Sequence, residues 1–121
     1  MSSNFSAAEK IKIAKQHPHT DIKKFKTATA YYNDCGYLHR VDGPAVEYDD
    51  GSFDYYIDGF CHRDDGPAYY RASMISGAIQ DYTKFFLYGV EYQDIDYWVE
   101  DLVRFKYKTK EEAFMLYLKW R

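Results

Sequence analysis

A chain of 121 residues, 46% hydrophobic and 20% aromatic with a net charge of −3, has room for one domain with a modest core. It contains no run of about eighteen apolar residues that could span a bilayer, and Met1-Ser2-Ser3-Asn4-Phe5 lacks the charged and apolar stretches of a secretory signal. Two cysteines without an export signal make a cytoplasmic, reduced protein the expectation.

Charge is unevenly spread. Residues 1–30 carry six lysines against Glu9 and Asp21, whereas residues 31–98 carry four basic and thirteen acidic side chains. Residues 99–121 are basic again, with six positive and four negative groups. An acidic block of net −9 repels a phosphate backbone, so direct nucleic-acid or anionic-membrane binding is not expected there.

Residues 1–24 read as an N-terminal helical segment. Ser6-Ala7-Ala8-Glu9 has the pattern of a capping box. Ile11, Ala14 and Ala7 share a face, Lys10, Lys12 and Lys15 read as solvated, and Pro18 ends the helix within His17-Pro18-His19. Lys23-Lys24-Phe25-Lys26 is a basic run too short to claim nucleic acid.

From Phe25 to about residue 92 the period is that of strands, about six to seven of them. Asp50-Gly51 and Asp58-Gly59 predict two-residue hairpin turns, in which both positions need positive φ. Gly43-Pro44 and Gly66-Pro67 interrupt the ladder, because proline cannot donate to it. Phe85-Phe86-Leu87-Tyr88-Gly89 matches Tyr55-Tyr56-Ile57-Asp58-Gly59 as a third, decayed unit, displaced by a longer loop over residues 72–80. Residues 93–121 then read as a helical cap. Ile95, Trp98, Leu102 and Phe105 fall on one face, and Thr109-Lys110-Glu111-Glu112 opens a terminal helix through about Trp120. Both helical ends are expected to cover the ends of the array.

The strongest signal is a duplication. His39-Arg40-Val41-Asp42-Gly43-Pro44-Ala45 returns 23 residues later as His62-Arg63-Asp64-Asp65-Gly66-Pro67-Ala68, identical at six of seven positions. Such a period marks one supersecondary unit stacked on itself. The pattern, with its preceding glycines Gly36 and Gly59, resembles the MORN-like repeats of phage, giant-virus and bacterial proteins. The resemblance covers about residues 31–92 and implies a twisted meander of antiparallel β-hairpins with a short helical tail. The expected fold is therefore α+β, one domain over residues 1–121: a helix, a hairpin-repeat meander and a C-terminal helical cap.

No residue set reads as catalytic, and neither a metal nor a cofactor is expected. His39, Arg40, Asp42, Gly43 and Pro44, with His62, Arg63, Asp65, Gly66 and Pro67, hold imidazole, guanidinium and carboxylate groups. A set duplicated at one register is more economically a folding requirement, with arginine bridging to a turn carboxylate of the adjacent unit and aspartate bonding its own turn. Cys35, His39, Cys61 and His62 do not make a zinc site, because adjacent strand residues point to opposite faces. A Cys35–Cys61 disulfide does not suit a reduced compartment, and a cysteine nucleophile lacks an orienting third group. Asp49-Asp50 and Asp64-Asp65 sit beside turn glycines, where aspartate bonds its own backbone.

Tyrosine remains. Tyr55-Tyr56 and Tyr69-Tyr70 place one ring on each face of a thin sheet, as a protein-binding surface or as cross-strand ladders. The leading expectation is a non-enzymatic interaction module, an accessory protein that binds and inhibits a host defence or nucleic-acid-processing factor in the host cytoplasm. Asp49, Asp50, Asp54, Asp58, Asp64 and Asp65, beside Tyr55, Tyr56, Tyr69 and Tyr70, would meet a basic surface of that host protein. The alternatives are a small-ligand or nucleotide binder using the aromatic sheet, and an assembly protein that oligomerises through sheet edges.

Overall fold

In the computed structural model, which describes residues 5–72, 74–75, 78–79 and 81–121, the chain begins with helix α1 (Ala7–Ala14). Ser6 and Glu9 satisfy each other's amides as a capping box, as their spacing predicts. Strand β1 (Asp21–Lys24) follows, four residues before the expected start of the meander. It pairs with β2 (Ala28–Tyr32), and Phe25, expected in a strand, lies in the turn between them. All four β1 residues are exposed. This is an edge strand, and lysine on an edge discourages further pairing while masking the apolar alternation.

The main sheet is antiparallel throughout, in the order β1-β2-β3-β4-β7-β10-β11. Its further strands are β3 (Val46–Tyr48), β4 (Phe53–Asp54), β7 (Tyr69–Arg71), β10 (Tyr82–Leu87) and β11 (Val90–Tyr92). Two small hairpins stand off it, β5 (Tyr56–Ile57) with β6 (Phe60–Cys61), and β8 (Met74–Ile75) with β9 (Ala78–Ile79). The second occupies the expanded 72–80 segment, where a loop was expected; Ser73, Ser76, Gly77 and Gln80 lie outside the described residues. At Asp58-Gly59 both turn residues have positive φ (47° and 83°), as expected, whereas at Asp50-Gly51 only the glycine does (92°). There the chain closes differently, with the Asp50 carboxylate accepting from the Ser52 amide at 2.8 Å.

The main core lies at the C-terminal end of the array. Leu87 packs with Trp98 and Leu102 from α2 (Ile95–Arg104) and with Ala113 from α3 (Lys110–Trp120). Phe85 meets Trp98 at 4.6 Å between centroids, so α2 covers the third unit as an end cap. Each fully buried large apolar side chain contributes about 1.5–3 kcal/mol. The helix stops at Arg104, and Phe105, expected on the same apolar face, is 46% exposed. Its place is taken by Tyr107, whose amide donates to the Leu102 carbonyl as the chain turns back.

A second cluster joins Ile11 and Ala14 of α1 to Ile57 of the β5–β6 hairpin. Helix α1 therefore does not cover the free end of the sheet, as the capping argument expected; it packs against the side of the second repeat. No helix among the described residues is long and apolar enough to cross a membrane.

Candidate functional site

The duplicated motif forms the same structure twice. Each histidine is buried, and each Nδ1 accepts the amide of the first turn residue of the next hairpin. His39 takes the Asp58 amide and His62 the Tyr88 amide, both at 2.9 Å. Asp58 and Tyr88 both have positive φ, so each histidine clamps the tight turn of the unit after its own. An accepting Nδ1 leaves the proton of a neutral imidazole on Nε2. In the first copy that nitrogen donates to the His17 carbonyl and pins the chain leaving α1. The Asp58 carboxylate, 3.2 Å from His39 Nδ1, is thus a neighbour of an accepting nitrogen.

The arginines close the other side of each unit, each pairing within its own copy and not, as was expected, across to the adjacent unit. Arg40 Nε donates to Asp42 at 2.9 Å and its Nη1 to the Pro44 carbonyl at 3.2 Å; Arg63 makes the same bonds to Asp65 and Pro67 at 2.7 and 3.0 Å. Each guanidinium lies over a tyrosine, Arg40 on Tyr31 at 4.0 Å and Arg63 on Tyr55 at 4.2 Å. The glycines make room for this clip. A Cβ at Gly43 would stand 3.1 Å from the Arg40 guanidinium carbon, and one at Gly66 would stand 2.9 Å from both Arg63 and the Trp120 ring. Ala45 and Ala68 are completely buried beneath. Every repeat-defining side chain thus has a partner within the fold.

The copies differ at one position, Val41 against Asp64, and that difference ties the chain ends to the repeats. Asp64, half-enclosed, receives Lys15 from the end of α1 at 3.0 Å and Lys108 from the α2–α3 turn at 3.7 Å. His62 Nε2 lies 3.9 Å away, too far for a hydrogen bond, and is left without a hydrogen-bond partner. Burial alone would raise the Asp64 carboxyl, but His62, Lys15 and Lys108 outweigh it and hold the group well below the usual carboxylate range. Burial lowers His62 below its ordinary value, against the pull of Asp64. A cleft of about 230 Å³ between the two repeat turns is lined by Arg40, Asp42, His62, Arg63, Asp64 and Asp65, with its charges largely compensated inside the fold.

The open sheet carries the tyrosines. Register places Val46, Asp54, Tyr69 and Lys84 in one cross-strand row, with Tyr48, Arg71 and Tyr82 on the same face two residues along. Arg71 is held by the Asp54 carboxylate at 2.9 and 3.2 Å between the rings of Tyr69 (3.9 Å) and Tyr48 (4.8 Å). Tyr31, Phe53, Tyr55 and Tyr70 occupy the opposite face, where Phe53 stacks on Tyr70 at 5.1 Å. Tyr55, Tyr56, Tyr69 and Tyr70 are all half-buried.

The six aspartates expected to face a partner do not share one surface. Asp54 is 7% exposed and spent on Arg71 and the Tyr48 hydroxyl, and Asp64 is enclosed with its lysines, so neither can steer a partner from outside. Asp49, Asp50 and Asp58 are exposed; the Asp65 carboxylate is open at 62% while paired to Arg63. Lys15, Arg71, Lys108 and Trp120, whose indole donates to the Asp65 carbonyl at 3.0 Å, carry no motif signal, since each partner lies at least 17 residues away. The Val41/Asp64 mismatch inside the repeat was the one readable clue.

Both cysteines are free, and burial pushes the Cys61 thiol up to about 12. Among the described residues no group of three or more His, Cys, Asp or Glu side chains could hold a metal ion. Comparison with protein-family models, with curated proteins and with solved structures gives no match.

Two outcomes follow from this geometry. Gly66→Ala is expected to cost about 1–3 kcal/mol in equilibrium urea unfolding, and Gly43→Ala clearly less, because only Gly66 faces the rigid Trp120 ring as well as a guanidinium. His62, with a folded-state pKa below the unfolded value of about 6.5, is protonated first in the unfolded chain as the pH falls. Stability is therefore full above about pH 6.5 and declines toward the folded value. His62→Asn, which keeps an acceptor near Nδ1, should flatten that decline in unfolding midpoints between about pH 5 and pH 8; an undiminished slope would contradict the assignment.

Proposed function

We propose that the chain is a non-enzymatic interaction module that engages a basic surface of another protein. The observation that carries this reading is the use of the motif groups: both histidines, both arginines and their aspartates are bonded within the fold. What remains for another molecule is half-exposed tyrosine on an open sheet, with exposed carboxylates outside the arginine pairs at Asp49, Asp50 and Asp58. Such surfaces gain association rate from charge and contact energy from aromatic rings. The resemblance of the repeats to phage and giant-virus proteins extends the proposal to an accessory role, inhibiting a host defence or nucleic-acid-processing factor.

The triple variant Asp49→Asn/Asp50→Asn/Asp58→Asn tests it without disturbing the turns. Asparagine tolerates the positive φ at position 58 and retains the oxygen that accepts from Ser52 at position 50. Against the partner isolated by affinity purification, association is expected to slow severalfold and lose salt dependence, with dissociation and melting nearly unchanged. Identical association rates and salt slopes for variant and wild type would refute the proposal.

A further inference from the structure

The fold brings together the two basic ends that the sequence keeps ninety residues apart. Ala7, Ala8 and Lys12 of α1 and Arg104, Phe105 and Lys106 at the end of α2 line a cleft of about 550 Å³. Glu9 is the carboxylate in its lining, and it already accepts the Ser6 amide at 3.0 Å. Arg104 leans toward Asp101 at 3.5 Å but stays 66% exposed. Neither Lys12 nor Lys106 reaches a carboxylate at ion-pair distance among the described residues. Against Glu9 and Asp101, these three cations leave one net positive charge at the cleft of an acidic protein.

Lys106 makes this more than a chance cluster. It has φ +64°, at the position just past a helix end where the chain reverses and its amide donates to the Val103 carbonyl. Glycine adopts that conformation without strain, and a side-chain-bearing residue does not. A lysine here gives up stability to put an ammonium group at the cleft, and residues held in strained backbone concentrate at functional sites. Beside it Phe105 presents an aromatic ring that is 46% exposed, and Ala7 and Ala8 add a small apolar wall.

We infer that this cleft binds a nucleoside polyphosphate, its phosphates on Lys12, Arg104 and Lys106 and its base against Phe105. The volume falls within the range of about 300–1,000 Å³ usual for small-ligand sites. A compact polyanion can use the local positive charge, whereas a long one must also lie along the acidic repeats and is repelled. The inference does not rest on the interaction role proposed for the sheet.

Calorimetric titration of the whole protein at low salt with magnesium-free ATP, adenosine, tripolyphosphate and a short single-stranded oligonucleotide tests it. ATP is expected to bind with a Kd of about 10–500 μM, tripolyphosphate several-fold more weakly, and adenosine not measurably. Lys106→Gly should melt higher than wild type yet bind ATP at least tenfold more weakly, a combination that a structural role for the lysine would not produce. Lys12→Gln, on the exposed face of α1, should weaken ATP similarly without changing melting. Absence of ATP binding, or full binding by both variants, would overturn the inference. So would an oligonucleotide that binds tighter than ATP, or tripolyphosphate that binds as tightly as ATP.

Discussion

The architecture depends on one hydrogen bond made twice, from the amide of a positive-φ turn residue to the Nδ1 of a buried histidine in the preceding unit. A tight hairpin turn leaves this amide facing away from its own ladder, and burying it unpaired would cost about 1–3 kcal/mol. The histidine supplies the acceptor and fixes how far apart successive hairpins stand. The glycine amides reinforce that spacing, Gly59 donating to the Leu38 carbonyl and Gly89 to the Cys61 carbonyl. Aromatic contact continues it, with Phe60 stacked on Tyr88 at 4.3 Å. The third unit has no histidine and can clamp no fourth. Helices α2 and α3 take over there, and Trp120 reaches back to the Asp65 carbonyl.

The arginines have a complementary task. Each unit turns sharply at Gly-Pro, and a guanidinium bonded to the turn aspartate and the proline carbonyl holds the bend while its flat face rests on a tyrosine. The fold thus uses these charges within its own turns. Where one copy departs from the other, at Asp64, charge serves a different end. Lys15 and Lys108 converge on it from opposite ends of the chain, joining α1 and the C-terminal cap to the second repeat. That convergence also draws the neighbouring lysines of both ends to one side, where they line a basic cleft.

Much of this was legible because repetition, turn glycines and capping boxes are local signals. The hairpin meander, the helix starting after Ser6 and the helices following Asp94 and Thr109 lie where spacing puts them. Strand β1 was hidden because its lysines, useful on an edge, erase the alternation that identifies a strand. The pairing of Asp54 with Arg71 and of Asp64 with Lys15 was hidden because each depends on register across the sheet or on docking of a distant helix. Exposure followed from those pairings, so an aspartate's place in an acidic block did not reveal whether it faced water. Phe105 was misplaced because helical periodicity holds only as long as the helix, and this one ends one residue earlier.

The central claim, that the duplicated histidines are clamps between hairpins, can be measured directly by nuclear magnetic resonance on uniformly ¹⁵N-labelled protein. A scalar coupling across the hydrogen bond is predicted between the Asp58 amide nitrogen and His39 Nδ1, and between the Tyr88 amide nitrogen and His62 Nδ1. At neutral pH both imidazoles should carry their proton on Nε2. Imidazoles protonated on Nδ1 or exchanging between tautomers, with Asp58 and Tyr88 amides that exchange freely with water, would contradict the account.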